Sequence, residues 1–214
     1  MNPWKCSEES TRRAPRPSAA SRGVGRIAAA LLLACAAIAP GAAQVAAPAK
    51  AEAPYVPTPT AIVDRMLTLA GVGPSDYVVD LGSGDGRLVI TAVNRYHALG
   101  GRGYEIDSAL ARFARDNAAK AGVADRVRFF EQDLFAADVS AATVVTLYLI
   151  PGMLGRVEEK LGKELRPGTR VVSHDYPLPS WRPIQVVTFE SDEKVPISGT
   201  THSQLLLYRV PERR

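Results

Sequence analysis

The stretch that decides the fold is VVDLGSGDGRL at residues 78–88. Its first half is an apolar, β-branched run of the kind that forms a buried parallel strand. Its second half places glycine at every second position, Gly82, Gly84 and Gly86, and the apolar run at residues 88–93 can open a helix. A strand, a glycine turn and a helix N-terminus together present bare backbone N–H groups to a ligand. The sequence therefore predicts a ligand site at the end of this strand.

The spacing of the glycines narrows the ligand. A dinucleotide fingerprint is G-x-G-x-x-G after the strand, and Arg87 occupies the place of its third glycine. Asp80 lies two positions before the first glycine, and Ser83 lies between the first two. This D-x-G-x-G-x-G pattern resembles motif I of the class I S-adenosylmethionine-dependent methyltransferases, the seven-strand Rossmann-like family. A dehydrogenase or a purely structural glycine turn remains the alternative at this point.

Periodicity along the rest of the chain predicts alternating strands and helices. The predicted helices are 58–70, 86–96, 109–121 and 154–165, and the predicted strands are 77–81, 102–106, 127–131, 143–150, 169–173, 184–189 and 204–210. Such alternation is typical of a doubly wound parallel sheet. The last two strands have no helical segment between them, which predicts an antiparallel hairpin. The predicted fold class is α/β, a Rossmann-like seven-stranded sheet that is mostly parallel, with an antiparallel C-terminal hairpin.

An acidic residue ends the second predicted strand. Glu105 follows Gly86 by 19 residues, about where a carboxylate at the end of strand two meets the ribose hydroxyls of a nucleotide. Ile106 follows it directly. Asp107 is the nearest competitor, but its position before Ser108 favours a helix cap. We expect Glu105 to contact the cofactor and Asp107 to begin the next helix, with residues such as Leu110, Phe113 and Ala114 on its inner face.

A second acidic residue follows the third predicted strand. Asp133 can reach an adenine amino group, with Leu134 as an apolar neighbour against the ring. This arrangement again resembles the methyltransferase pattern. The alternative is that Asp133 caps a short helix or turn.

At subfamily level the chain is similar to the seven-strand lysine methyltransferases related to the mitochondrial enzymes that modify the ATP synthase c-subunit, and to their bacterial relatives. The resemblance covers about residues 55–210 and rests on four segments: 55–58, 80–88, 104–107 and 167–174. It implies S-adenosyl-L-methionine as cofactor and a protein lysine as acceptor. The fourth strand ends in Tyr148-Leu149-Ile150-Pro151, where adenine and glutamine methyltransferases usually carry an N-P-P-Y-like tetrapeptide. We therefore do not expect adenine or amide methylation.

The implied chemistry is an in-line displacement at a sulfonium methyl group, to which the protein contributes positioning and desolvation. An apolar, aromatic channel disfavours the ammonium form of the acceptor lysine. Tyr55, Tyr148 and Tyr176 are candidates for this channel, with core packing as the alternative for each. His174 or Asp175 could accept the proton, although Asp175 could equally bind backbone or cofactor.

Charge separates the chain into two parts. Residues 1–43 hold six of the 26 basic and two of the 22 acidic side chains, so residues 44–214 hold 20 of each. No nucleic-acid partner is expected from this balance. Both cysteines, Cys6 and Cys35, lie in the first part, and the three histidines lack zinc-ligand spacing, so no metal site is expected.

The first part has the pattern of a targeting segment. A basic region precedes a small-residue apolar run at residues 27–39, and a small-residue cleavage site follows. We expect residues 1–43 to be a signal peptide or N-terminal anchor, residues 44–54 an Ala/Pro-rich linker and residues 55–214 the methyltransferase domain. An organellar transit peptide or an over-extended start remains open, and with either the domain would be organellar or cytoplasmic. An anchor would bring the domain close to membrane-embedded acceptors.

Three functions compete at this level. The first is a methyltransferase for a protein lysine, which could belong to a membrane protein. The second is a methyltransferase for a small or lipid-like acceptor, favoured by the lack of a substrate-binding insertion. The third is a nucleotide-binding module without catalysis, favoured by an exported location, where the cofactor is not expected.

Overall fold

The computed structural model describes residues 55–212. The predicted leader at 1–43 and linker at 44–54 lie outside these residues, and both stay predictions. Within the part of the chain that the structure describes, no helix is long and apolar enough to cross a membrane.

One seven-stranded sheet forms the centre of the domain. Its strands are β1 Tyr77–Leu81, β2 Gly100–Glu105, β3 Val127–Glu131, β4 Val144–Leu147, β5 Arg170–His174, β6 Gln185–Glu190 and β7 His202–Arg209. Their order is β3-β2-β1-β4-β5-β7-β6. The first five strands are parallel, whereas β7 pairs antiparallel with both β5 and β6. The predicted fold class is confirmed.

Helices cover both faces of the sheet. They are α1 Thr60–Leu69, α2 Arg87–Asn94, α3 Ser108–Lys120, α4 Pro151–Glu164 and the single turn α5 Val195–Ser198. Successive residues of a strand point to opposite faces. Val78 accordingly packs in a core with α1, α2 and α3, while Val79 packs in a second core with α4. Both cores are apolar, and each fixes the position of the strand ends above it.

The carboxyl ends of the parallel strands meet along one edge of the sheet. Leu81 is in register with Tyr104 of β2 and with Leu147 of β4, and Leu147 is in register with Ser173 of β5. From β1 the chain adds β2 and β3 on one side and then returns to add β4 and β5 on the other side, so the strand order reverses between β1 and β4. In doubly wound sheets a ligand binds in the crevice at this switch point. We therefore expect the site to be built from the last residues of these strands and the residues that follow them.

Several predicted strand boundaries differ from those of the structure, and the start of β2 has a steric reason. Strand β2 begins at Gly100, two residues before the predicted start. At Gly101 a Cβ would lie 2.5 Å from the carbonyl oxygen of Val78, so only glycine allows the two strands to pair here. The glycines that suggested a loop are the residues that let β2 lie against β1. Strand β4 ends at Leu147, so Tyr148 to Ile150 form a connection and α4 begins at Pro151.

Two further predictions are wrong in part: of the residues predicted for one face of α3 only Ala114 is buried, and the terminal hairpin is antiparallel but its connection is partly helical. The inner face of α3 is Ala111, Ala114 and Ala118, whereas Phe113 is 49% exposed. The small side chains are needed because α3 lies close to the glycine turn, where a Cβ on Gly86 would be 3.0 Å from the Cβ of Ala114. The terminal hairpin does contain helical segments: a 3-10 turn at Asp192–Lys194 and then α5.

Candidate active site

The glycine turn between β1 and α2 has a backbone that requires glycine. Gly82, Gly84 and Gly86 have φ values of 79°, 52° and 82°, which side chains rarely allow. At Gly84 a Cβ would also overlap the ring of Tyr55. The turn therefore needs glycine both for its conformation and for the close approach of a neighbouring group.

The N–H groups of the turn are not bare, and this part of the prediction is wrong. Gly82 and Ser83 both donate to the carbonyl oxygen of Tyr104, and Gly86 donates to that of Ser83. The N–H of Gly84 donates to Oε2 of Glu105 at 2.8 Å. These bonds make the turn a closed structure rather than an anion cradle. A ligand without a pyrophosphate suits it better than a dinucleotide.

Glu105 ends β2 and is almost buried, with 9% of its surface exposed. Its Oε1 accepts the N–H of Asp107 at 2.9 Å, and its Oε2 accepts that of Gly84. A carboxylate can accept about four hydrogen bonds, so about two remain for a pair of ligand hydroxyls. Asp107 instead accepts the N–H groups of Ala109 and Leu110, which confirms it as the cap of α3.

Asp80 lies on β1 below the turn and is 3% exposed. Its Oδ1 accepts the hydroxyl of Thr146 at 2.7 Å. Burial raises the pKa of Asp80 to about 7; the Thr146 hydrogen bond opposes this, and the charges of Glu105 and Asp85 add to it. A cation brought close to Asp80 would favour its ionised form. Asp80 is therefore suited to receive an ammonium group.

Four predicted cofactor residues remain: Ser83, Ile106, Asp133 and Leu134. Asp133 caps the 3-10 turn Leu134–Ala136, where its Oδ1 accepts the N–H of Phe135 at 2.9 Å. Leu134 is 8% exposed and belongs to a core, and Ile106 is half-buried. The Ser83 side chain packs near Gly103 of β2, and its Oγ has no hydrogen-bond partner among residues 55–212. The cap predicted as the alternative for Asp133 is present, and the contacts of these residues with a cofactor stay predictions.

Tyr148 and His174 meet at the ends of β4 and β5. Their ring centroids are 4.1 Å apart, with an interplanar angle of 36°. His174 is fully buried; burial lowers its pKa to about 4, the charge of Asp175 opposes this, and that of Lys194 adds to it. Burial also raises the pKa of Tyr148 to about 12, with further contributions from Asp175 and Tyr176. Both rings are therefore uncharged at neutral pH.

Asp175 is held by a residue that the sequence analysis did not identify. Lys194 is 4% exposed, and its Nζ lies 2.7 Å from Oδ2 of Asp175. Asp175 has a φ of 64°, and its Oδ1 accepts the N–H of Gln204 at 3.3 Å. Lys194 comes from the connection between β6 and β7, and nothing in its sequence spacing links it to Asp175. The ion pair leaves Asp175 poorly suited to accept a proton.

The other two candidate tyrosines are more exposed. Tyr176 is 39% exposed, whereas Tyr148 is the one whose ring contacts His174. Tyr55 is 44% exposed and lies against Gly84, so it belongs to the glycine-turn side of the site. The three residues therefore do not share one structural role.

Several known proteins with similar sequences are lysine methyltransferases. A model of the ANTKMT methyltransferase domain matches residues 80–185. The protein-lysine N-methyltransferase of Saccharolobus islandicus is 40% identical over 161 residues, which are 75% of this chain and 96% of that protein. The ATP synthase c-subunit lysine N-methyltransferase of Homo sapiens is 31% identical over 166 residues, 71% of this chain and 69% of that protein.

A solved structure supports the same fold. The crystal structure of an RNA methyltransferase from Salinibacter ruber with S-adenosyl-L-homocysteine is 46% identical and has a TM-score of 0.67. It is covered over 96% of its length by 74% of this chain. These matches confirm the resemblance predicted from residues 55–58, 80–88, 104–107 and 167–174. The chain belongs to the family of these lysine methyltransferases.

Proposed function

We propose that this protein transfers the methyl group of S-adenosylmethionine to the side-chain nitrogen of a protein lysine. The main support for the proposal is that the site has an acidic side and an uncharged, aromatic side. Asp80 and Glu105 make the ends of β1 and β2 acidic. Tyr148 and His174 make the ends of β4 and β5 aromatic and uncharged. The names of the relatives agree with a lysine acceptor.

The acidic side fits the cofactor. Glu105 retains acceptor capacity for the two ribose hydroxyls, and Asp80 can pair with the ammonium of the methionine portion. The N–H groups of Gly82, Ser83 and Gly86 already donate to backbone carbonyl oxygens, which suits a ligand that has no pyrophosphate. When bound, the cofactor supplies an electrophilic methyl group on a sulfonium sulfur.

The uncharged side fits a neutral amine. A lysine ammonium next to the Tyr148 and His174 rings is desolvated, and the nearby carboxylate of Asp175 is already paired with Lys194, so the pKa of the ammonium is lowered. After it loses a proton to solvent, its nitrogen lone pair forms the new N–C bond as the C–S bond breaks. The sulfur keeps the bonding pair and leaves as S-adenosylhomocysteine.

Neither predicted proton acceptor acts as a base in this proposal. His174 has a pKa of about 4 and is fully buried, so it is a weak acceptor for a lysine proton. Asp175 is already paired with Lys194 at 2.7 Å. His174 instead contacts the ring of Tyr148, and Asp175 holds Lys194 at the end of β5.

RNA is the second candidate acceptor, because the Salinibacter ruber protein is described as an RNA methyltransferase. A long polyanion would require a basic surface. Residues 44–214 carry equal numbers of acidic and basic side chains, which favours the protein acceptor.

A labelled-methyl assay distinguishes these acceptors. Purified full-length protein is incubated with methyl-labelled cofactor and with separate soluble-protein, membrane, lipid and RNA fractions of source cells that lack this chain. We expect label that is removed by protease and unaffected by ribonuclease. Label confined to RNA, lipid or small molecules would overturn the lysine proposal. A Glu105→Ala variant is the control for labelling that does not depend on this site.

A further inference from the structure

Arg87 joins the glycine turn to the segment that precedes α1. Its Nε donates to Oδ1 of Asp85 at 2.8 Å, and its second terminal nitrogen donates to Oδ2 at 2.6 Å. Its first terminal nitrogen donates to the carbonyl oxygen of Thr58 at 2.8 Å. A guanidinium suits this task because its planar fork binds a carboxylate at two points and still has a donor left.

The segment held in this way, residues 55–59, is here called the strap. Its first residue, Tyr55, lies against Gly84, where any side chain would collide with the ring. Partial burial raises the pKa of Tyr55, and the nearby charge of Asp85 adds to this. Pro57 and Pro59 restrict the backbone between the two contacts. The strap is thus a short, stiff segment attached to the turn at both of its ends.

We propose that Arg87 is a positioning residue that holds the strap over the glycine turn and thereby sets how tightly the cofactor is retained. Tyr55 covers the point at which Gly84 permits the closest approach to the backbone. Without the hydrogen bond from Arg87 to Thr58, the strap would be held over the turn only by the contact between Tyr55 and Gly84. The inference rests on the cofactor assigned under the proposed function, and it does not depend on which acceptor is methylated.

This role explains why arginine stands where a dinucleotide fingerprint has its third glycine. In that fingerprint the glycine lets the helix pack closely on the strand. Here α2 begins at Arg87, and the side chain leaves the helix N-terminus to bridge Asp85 and Thr58. At this position the side chain of Arg87 contacts the strap, and close packing of helix on strand is not its role.

The test measures S-adenosylhomocysteine binding by calorimetry and its release by stopped flow, on the full chain. Because one charge-assisted contact is lost, Arg87→Met should weaken binding about tenfold, mainly through faster release. Arg87→Lys should recover part of the affinity. At saturating cofactor, turnover should stay within about threefold of the unaltered protein, so that KM changes more than kcat.

Tyr55→Ala provides the second arm and keeps the proposal testable if Arg87→Met fails to fold. If both residues act through one strap, the double variant should bind about as weakly as either single variant. Arg95→Met is the matched control, because Arg95 also pairs with an aspartate, Asp64, at 2.7 Å on the exposed side of α2. It should bind as the unaltered protein does.

Two results would overturn the proposal: unchanged binding in Arg87→Met, or effects of the two variants that multiply. Because binding is measured without an acceptor, a failure of lysine methylation would leave this test intact. Loss of binding in every variant, including Arg95→Met, would instead contradict the strap as the specific cause.

Discussion

The two sides of the site are built from different kinds of contact. On the cofactor side, Glu105 is held by backbone N–H groups of Gly84 and Asp107. On the acceptor side, Tyr148 is supported by the ring of His174, and Asp175 by the ammonium of Lys194. The glycines and the acidic residue of the cofactor side form a spacing pattern that the sequence shows directly, although their hydrogen bonds are not part of that pattern. Contacts between side chains from separate strands leave no such pattern.

The two sides also differ in charge, and this difference suits the proposed reaction. Asp80 and Glu105 make the cofactor side acidic, where the proposed ligand carries cationic groups. The acceptor side has uncharged rings and a neutralised carboxylate. Substitutions on the first side should therefore change cofactor affinity, and those on the second should change turnover or stability.

The largest effect is expected for Glu105→Ala. It removes the acceptor of two backbone hydrogen bonds and of the proposed ribose contacts, and it should weaken S-adenosylhomocysteine binding by about 100-fold to 1,000-fold, or ~3–4 kcal/mol. Calorimetry measures this directly. Glu131→Ala is the matched control, because Glu131 is in register with Glu105 on β3 and is exposed. Binding within about threefold of the unaltered protein would contradict the assignment of Glu105.

Lys194→Met should lower the free energy of unfolding by about 2 kcal/mol, because it leaves the partly buried Asp175 without its cation and removes the buried Lys194 ammonium. Urea unfolding measures the change. The exposed pair of Lys163 and Glu159 supplies the control, since Lys163→Met should leave the unfolding midpoint almost unchanged. Cofactor affinity should be nearly unchanged in both variants. Equal unfolding midpoints would show that the ion pair does not stabilise the acceptor side.

Tyr148 separates a ring effect from a hydroxyl effect. Tyr148→Ala should lower kcat by about 10-fold to 100-fold and leave S-adenosylhomocysteine affinity unchanged, because it removes the surface against which the amine is desolvated. Tyr148→Phe should lower kcat by less than about threefold, since a phenol with a pKa of about 12 stays protonated. If the two variants were equally impaired, the hydroxyl rather than the ring would be essential.

The smallest effect is a pH dependence from Asp80. Its raised pKa of about 7 means that the unliganded protein holds this proton at acidic pH, while a ligand ammonium favours the carboxylate. Affinity for S-adenosylhomocysteine should therefore rise about tenfold from about pH 5.5 to about pH 7.5, with release of a proton. Calorimetry in buffers of different ionisation enthalpy measures that proton. An equally steep rise in Asp80→Asn would show that another group titrates.

Asp80 and His174 should also affect stability in opposite directions. The native state keeps the Asp80 proton between about pH 4 and pH 7, where the unfolded chain has lost it, so this contribution to stability falls as pH rises. The pKa of His174 is lowered to about 4, so its contribution is present above about pH 6.5 and is lost as pH falls towards 4. In Asp80→Asn only the His174 contribution remains, so the free energy of unfolding should rise from about pH 4 to about pH 6.5. Urea unfolding at several pH values measures this change.

The sequence predicted most of the fold because hydrophobic period and glycine spacing are local signals. Strands β1 and β3 begin and end where periodicity places them. The start of β2 was missed because Gly100 and Gly101 suggest a loop, and their need for close strand contact appears only in three dimensions. The inner face of α3 was missed because it uses alanine where hydrophobicity favours Phe113.

Some residues of the site were predicted correctly from the sequence and others were not. Motif spacing selected Glu105 over Asp107, and the structure gives Asp107 the capping role expected of it. The same motif suggested bare N–H groups, because sequence shows donors but not the acceptors that occupy them. Lys194 could not be found in this way, since its partnership with Asp175 depends on how the β6–β7 connection folds back on β5.

The most direct test of lysine methylation is amino-acid analysis of the labelled acceptor. Protein labelled by the full chain with methyl-labelled cofactor is hydrolysed completely in acid, and the products are separated beside methylated amino-acid standards. We expect the label to co-elute with methylated lysine and to disappear with Glu105→Ala. Label that co-elutes with a methylated amino acid other than lysine would contradict the proposed function.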